Sequence, residues 1–136
     1  MFREKVIENG FIPTKGIPYK IFGVGPWQPP MFTEQALLMP EETVLDFHDY
    51  ERADASAKRI SEKLEKIGIN HAYLAYRSFR ARAFKADLWR LMILWEQGGI
   101  YMDAKFFFTE YPDWIDFEND QFLICSDDSA FGGNGA

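Results

Sequence analysis

The chain has 136 residues, 47% hydrophobic, 17% aromatic and 26% charged, which is enough apolar material for one core and excludes a disordered chain. Fifteen Lys and Arg against twenty-one Asp and Glu leave a net charge of -6, so non-specific attraction to nucleic acid or anionic lipid is not the starting expectation, and basic clusters have to be judged locally. The single cysteine, Cys125, excludes a disulfide framework and a cysteine zinc site, and no apolar run resembles a signal peptide or a membrane span; a soluble, cytoplasmic protein is expected.

In chain order, residues 19–24, "YKIFGV", are short, apolar and β-leaning. "GPWQPP" then ends the strand, and its glycine and prolines predict a rigid loop without helix, carrying Trp27 beyond the strand end. Residues 43–50, "TVLDFHDY", predict a second strand with Asp46 and His48 near its end. From 51 to 67, Ala53, Ala57, Ile60, Leu64 and Ile67 recur at helical spacing, with Gly68 placed as the stop. Between 81 and 97, Phe84, Leu88, Leu91, Met92 and Trp95 predict one buried helical stripe that Gly98 and Gly99 end. Residues 100–108 alternate as a strand, which would place Tyr101, Asp103 and Lys105 on one face. A turn at Pro112 and Asp113 leads to "QFLICS", a further buried strand ending near Asp127 and Asp128.

This order predicts one α/β domain over residues 1–136 around a central, mostly parallel sheet, with ligands bound beyond the carboxyl ends of the strands. The glycine-rich "DSAFGGNGA" reads as the middle of a loop, so the domain is expected to be incomplete at its carboxyl terminus. "FGGNGA" lacks the lysine and the strand-to-helix setting of a P-loop, although its glycines would let Asn134 line a site. His48 and His71 have no partner at metal-ligand or triad spacing and read as ordinary polar residues.

Four charges interrupt the stretch "KADLWRLMILWEQGGIYMDAKFF". Asp87 and Arg90, three apart, can present a carboxylate and a guanidinium from one helix face; an exposed pair of this kind contributes only about 0.2–0.5 kcal/mol. Asp103 and Lys105 follow on the strand. Ahead of them, Arg77, Arg80, Arg82 and Lys85 form a basic cluster that reads as a solvated helix entrance or the rim of an anion site. No basic stripe interleaved with aromatics extends from it, so nucleic acid is not an expected partner.

"ADLWRLMILWEQGGIYMDAKF" resembles the central signature of the DXD-containing sugar-binding family of glycosyltransferases, which includes a yeast initiating mannosyltransferase, bacterial capsular polysaccharide transferases and, more distantly, clostridial glucosylating toxins. Asp87, Arg90, Gly98, Gly99, Tyr101 and Asp103 match its pattern with the spacing intact, and "IPYKIF" is similar, more weakly, to the family's first strand. The resemblance implies a GT-A-like, Rossmann-like nucleotide-sugar-binding fold. It also implies a UDP- or GDP-sugar donor, a glycan or polysaccharide acceptor, and transfer of a hexosyl group with retention. It places Asp87 and Arg90 on hydroxyls of the donor sugar, Tyr101 beside the nucleoside and Asp103 on ribose and sugar. Trp27, just past the first strand, could stack on a base or sugar or pack against the domain.

The chain departs from the pattern at the second acidic position of the motif, where it has Lys105. The family uses that carboxylate to hold Mn2+ or Mg2+ on the diphosphate; an ammonium would repel a cation but could meet the phosphates itself. Three alternatives stay open: a metal-independent transferase with Asp103 and Lys105 as its catalytic pair, a metal held by Asp103 and further residues, or a non-catalytic nucleotide-sugar or glycan-binding domain.

Overall fold

A computed structural model describes residues 16–103, 106 and 108–120. Three strands, β1 (Lys20–Val24), β2 (Val44–His48) and β3 (Ile100–Tyr101), form a parallel sheet in the order β2-β1-β3. With four helices, α1 (Pro30–Glu34), α2 (Tyr50–Lys66), α3 (Ala72–Ser78) and α4 (Arg82–Gln97), the architecture is α/β, in keeping with a GT-A-like domain.

Alternation along β1 divides the core. Ile21 packs with Phe32, Phe47, Met102 and Phe117 on one face of the sheet, and Phe22 packs with residues of α2, α3 and α4 on the other. The sheet is therefore covered on both faces, as a parallel sheet requires. Helix α2 follows its sequence closely. Asp49 caps it by accepting the Arg52 amide at 2.8 Å, and Ala53, Ala57, Ile60 and Leu64 are buried. At its end the Ile69 amide bonds to the Leu64 carbonyl and the Gly68 amide to the Glu65 carbonyl, a Schellman stop with Gly68 at φ 89°.

Four features differ from the sequence expectation. Helix α1 starts at Pro30, inside the expected loop, because a proline at the first helical position gives up no hydrogen bond. Helix α3 lies in a stretch assigned no element. In α4 the buried residues are Trp89, Met92 and Ile93, whereas Phe84 is 58% and Leu91 65% exposed. The helix is apolar nearly all round, and docking through Trp89 selected a face offset from the expected stripe. Strand β3 is short: the Met102 amide still bonds to Phe22, but the Phe106 amide turns back to the Asp103 carbonyl at 2.8 Å. The expected strand at "QFLICS", Lys105 and Asn134 lie outside the described residues.

Ion pairs bind the helices together. Glu96, its side chain only 5% exposed, meets Lys63 at 2.9 Å and also Arg59, joining α4 to α2. Asp54 accepts from Arg82 at 2.8 Å and from Tyr76 at 2.7 Å, joining α2 to α3 and α4. The link from α4 to β3 depends on backbone space. Gly99 has φ 96°, and a Cβ there would lie 2.6 Å from the Lys20 carbonyl oxygen, whereas a Cβ on Gly68 would meet nothing within 4 Å. Gly99→Ala is expected to cost roughly 3 kcal/mol or more and Gly68→Ala about 1 kcal/mol, the cost of positive φ alone. Guanidinium denaturation of the two variants checks this; equal losses would show that the approach to Lys20 is not limiting.

Candidate functional site

The chain leaves β1 for β2 on one side and later crosses to β3 on the other, so the carboxyl ends of β1 and β3 flank a topological switch point. Open parallel sheets bind ligands in that crevice. Trp27 follows β1 and is 66% exposed, a ring available to a flat partner. Asp103 follows β3.

Helix α4 supplies the neighbouring charges. Arg90 Nη2 lies 3.1 Å from Asp87 Oδ1, and the Arg90 guanidinium stands 5.8 Å from the centre of the Tyr101 ring. The two side chains are 45% and 60% exposed, so the pair adds little stability and remains open to a ligand. Burial pushes the Tyr101 hydroxyl up to about 12; the Asp103 and Asp87 carboxylates push the same way, against Arg90. Arg90 thus links Asp87 to the Tyr101 ring, and Asp103 follows Tyr101 by two residues in the chain. Tyr101 stays a neutral hydrogen-bond donor at physiological pH, with the Arg90 guanidinium over its ring.

The group is set from beneath by Trp89, which is fully buried. Its Nε1 donates to Ser56 Oγ at 2.8 Å, and its ring lies 6.3 Å from Tyr101, 6.4 Å from Phe22 and 4.9 Å from His48. His48, read from sequence as an ordinary polar residue, is buried at the end of β2, with Nε2 3.2 Å from Asp46 Oδ2. Neither of its ring nitrogens makes a directed hydrogen bond among the described residues. Burial raises the Asp46 carboxyl, but His48 and Arg52 outweigh it and hold Asp46 below the usual carboxylate range. Spacing of two along a strand already places Asp46 and His48 on one face, a signal the sequence contained.

Among the described residues no three His, Cys, Asp or Glu side chains are grouped to hold a metal ion. Of the acidic motif, Asp103 alone supplies a carboxylate, and a hard cation such as Mg2+ on a diphosphate is held by one or two carboxylates together with phosphate and water oxygens.

A family model described as the glycosyltransferase sugar-binding region containing the DXD motif matches residues 33–121. The chain belongs to this glycosyltransferase family. The match takes in β2, α2, α3, α4 and β3, and with them Asp87, Arg90, Tyr101 and Asp103. No curated protein and no solved structure matches the chain significantly. In this glycosyltransferase-related chain, no helix among the described residues is long and apolar enough to cross a membrane.

Tyr101 gives the site a pH signature. Its phenol is neutral in the fold where an unfolded one, with a pKa of about 10, has ionised, so the unfolded state binds fewer protons and stability falls as pH rises from about 10 towards about 12. Tyr101→Phe is expected to flatten that fall in chemical denaturation at a series of alkaline pH values. An unchanged slope would mean that the hydroxyl is not held neutral by the fold.

Proposed function

We propose that residues 1–136 act as a glycosyltransferase domain that moves a hexosyl group from a UDP- or GDP-sugar to a hydroxyl of a glycan or polysaccharide acceptor, with retention. The observation that carries this reading is the Asp87–Arg90 pair held over Tyr101 beside the β1/β3 switch point, within a chain of the sugar-binding family. Asp87 accepts from sugar hydroxyls and Arg90 donates to them. Tyr101 borders the nucleoside, Asp103 contacts ribose and sugar, and Trp27 offers a face to base or sugar. Asn134 joins the donor site from the carboxyl-terminal glycine-rich stretch. The protein contributes positioning and stabilisation of the departing nucleoside diphosphate.

Asp87→Asn keeps the shape of the side chain but removes the charge that orients Arg90 and one strong acceptor. It is expected to weaken donor binding or turnover at least about tenfold, equivalent to about 1.4 kcal/mol, with little change in thermal stability because the pair is exposed. Calorimetric titration with UDP- and GDP-sugars, together with donor hydrolysis, measures it. Unchanged affinity and rate would return the pair to a surface contact.

Lys105 stands where the family has its second carboxylate, and in this reading its ammonium meets the leaving diphosphate directly. Activity is then expected to survive chelation of divalent metal, and Lys105→Ala to lose it. Complete loss of wild-type activity on chelation, or full activity of Lys105→Ala, would overturn this role. The same departure favours a second reading, a nucleotide-sugar or glycan-binding domain without turnover; donor binding without hydrolysis, over several donors with Mn2+ or Mg2+ supplied, would select it.

A further inference from the structure

Helices α3 and α4 leave an apolar surface that the core does not use. Ala75, Phe79, Phe84, Leu88 and Leu91 line an open cleft of about 400 Å³ whose one charged wall is Asp87. Leu74, Phe79, Phe84 and Leu91 are all exposed, and the Phe79 and Phe84 rings lie 6.2 Å apart. A cluster of large exposed apolar side chains marks a contact surface.

The charge around this surface opposes that of the whole chain. Residues 74–91 carry Arg77, Arg80, Arg82, Lys85 and Arg90 against Asp87 alone, in a chain where acids outnumber bases twenty-one to fifteen. Two of these cations are turned to internal duties: Arg82 pairs with Asp54 and stands over Tyr50, and Lys85 stands over Tyr76. Arg77 and Arg80, on either side of Phe79 in the chain, are exposed and make no ion pair among the described residues.

We propose that the α3–α4 surface docks on an anionic lipid bilayer, with Phe79, Phe84 and Leu91 entering the headgroup boundary and Arg77 and Arg80 meeting lipid phosphates. Interfacial elements combine Phe and Leu tips with Arg and Lys in this way, and each cation near an anionic surface adds electrostatic affinity. The apolar tips are spread over two helices and a link, with basic side chains between them. That arrangement suits a fluid apolar layer capped by anions better than the shaped pocket of a protein partner. Because Asp87 both borders the cleft and pairs with Arg90, docking would set the candidate sugar site at the rim of the bilayer, within reach of an acceptor carried on a lipid. The inference does not rest on the donor reading, since donor binding is measured without lipid.

Co-sedimentation of the full chain with vesicles tests it. Binding is expected to phosphatidylcholine vesicles that contain phosphatidylglycerol and not to phosphatidylcholine alone. It should weaken as salt rises from about 0.1 M to about 1 M, which shortens the screening length from about 10 Å to about 3 Å. The pair Arg77→Glu with Arg80→Glu is expected to lower binding at least about tenfold, from a contribution near 1 kcal/mol per cation. Phe79→Ser with Phe84→Ser should lower it as much, and both variants should keep the wild-type circular dichroism and melting temperature because all four side chains are exposed. Absence of binding, equal binding to neutral vesicles, or binding that neither variant reduces would overturn the proposal. So would a solution dimer, seen by light scattering, that the phenylalanine variant dissociates, since a second copy would then occupy the surface.

Discussion

Everything that positions the candidate site depends on how the indole of Trp89 is seated. It is fully buried, satisfies its N–H on Ser56 of α2, and touches rings from all three strands, Phe22, His48 and Tyr101. A buried indole without a partner for its nitrogen costs about 1–3 kcal/mol, so the Ser56 hydroxyl fixes the rotation of α4 as well as its distance from the sheet. With Trp89 turned inward, Arg90, one residue on and about 100° round, lies on the flank of the helix, and Asp87, two residues before and about 160° away, lies on its outward side. There they stay exposed enough to meet a ligand, and Arg90 can still reach the Tyr101 ring. An apolar anchor and a polar working edge thus occupy adjacent positions of one helical turn.

Carboxylates serve two purposes in this molecule, and their surroundings separate them. Burial raises Asp54 and Glu96, but the hydrogen bonds and charges of Arg82 and Tyr76 in the first case, and of Arg59, Gln97 and Lys63 in the second, prevail and hold both below the usual range. These acids are occupied by several donors each and act as brackets between helices. Asp87 has only Arg90 as an ion-pair partner among the described residues and is mostly exposed. The brackets hold α2, α3 and α4 as one block behind the sheet, so the exposed pair can remain unsaturated without loosening the helix that carries it.

The sequence showed α2 nearly complete because a single apolar stripe and a glycine at the Schellman position agreed, while its Asp49 cap and Tyr50 fall within the expected preceding strand. The Asp87–Arg90 pair was legible from its spacing of three, but nothing in the periodicity of α4 placed Arg90 over the Tyr101 ring. Its inward face was not legible. Of the expected stripe of Phe84, Leu88, Leu91, Met92 and Trp95 only Met92 is buried, and burial was decided by which side found a polar partner and three rings. Helix α3 is seven residues long, too short for periodicity to identify, and it depends on Tyr76 packing into the core. The burial of His48 was not legible because the ring that covers it comes from α4, about forty residues further along the chain.

The spacing of the family pattern follows from helix and strand rise once the turn between them is known. Gly98 and Gly99, at φ 69° and 96°, reverse the chain against Pro18 and Lys20, so α4 descends and β3 ascends side by side. From Gly98 back to Arg90 is eight helical residues, about 12 Å at 1.5 Å each. From Gly99 forward to Asp103 is four extended residues, about 13 Å at 3.3 Å each. Tyr101, two extended residues beyond Gly99, stands about 7 Å up, so the Arg90 backbone lies about 5 Å above it and the long side chain spans the difference to put the guanidinium 5.8 Å from the tyrosine ring. One residue inserted in the helix would rotate Asp87 and Arg90 by about 100° as well as raise them by about 1.5 Å. One residue inserted in β3 would turn Tyr101 to the opposite face of the sheet. The side chains can vary around this frame, but the counts on either side of the glycines cannot change without separating Arg90 from the Tyr101 ring.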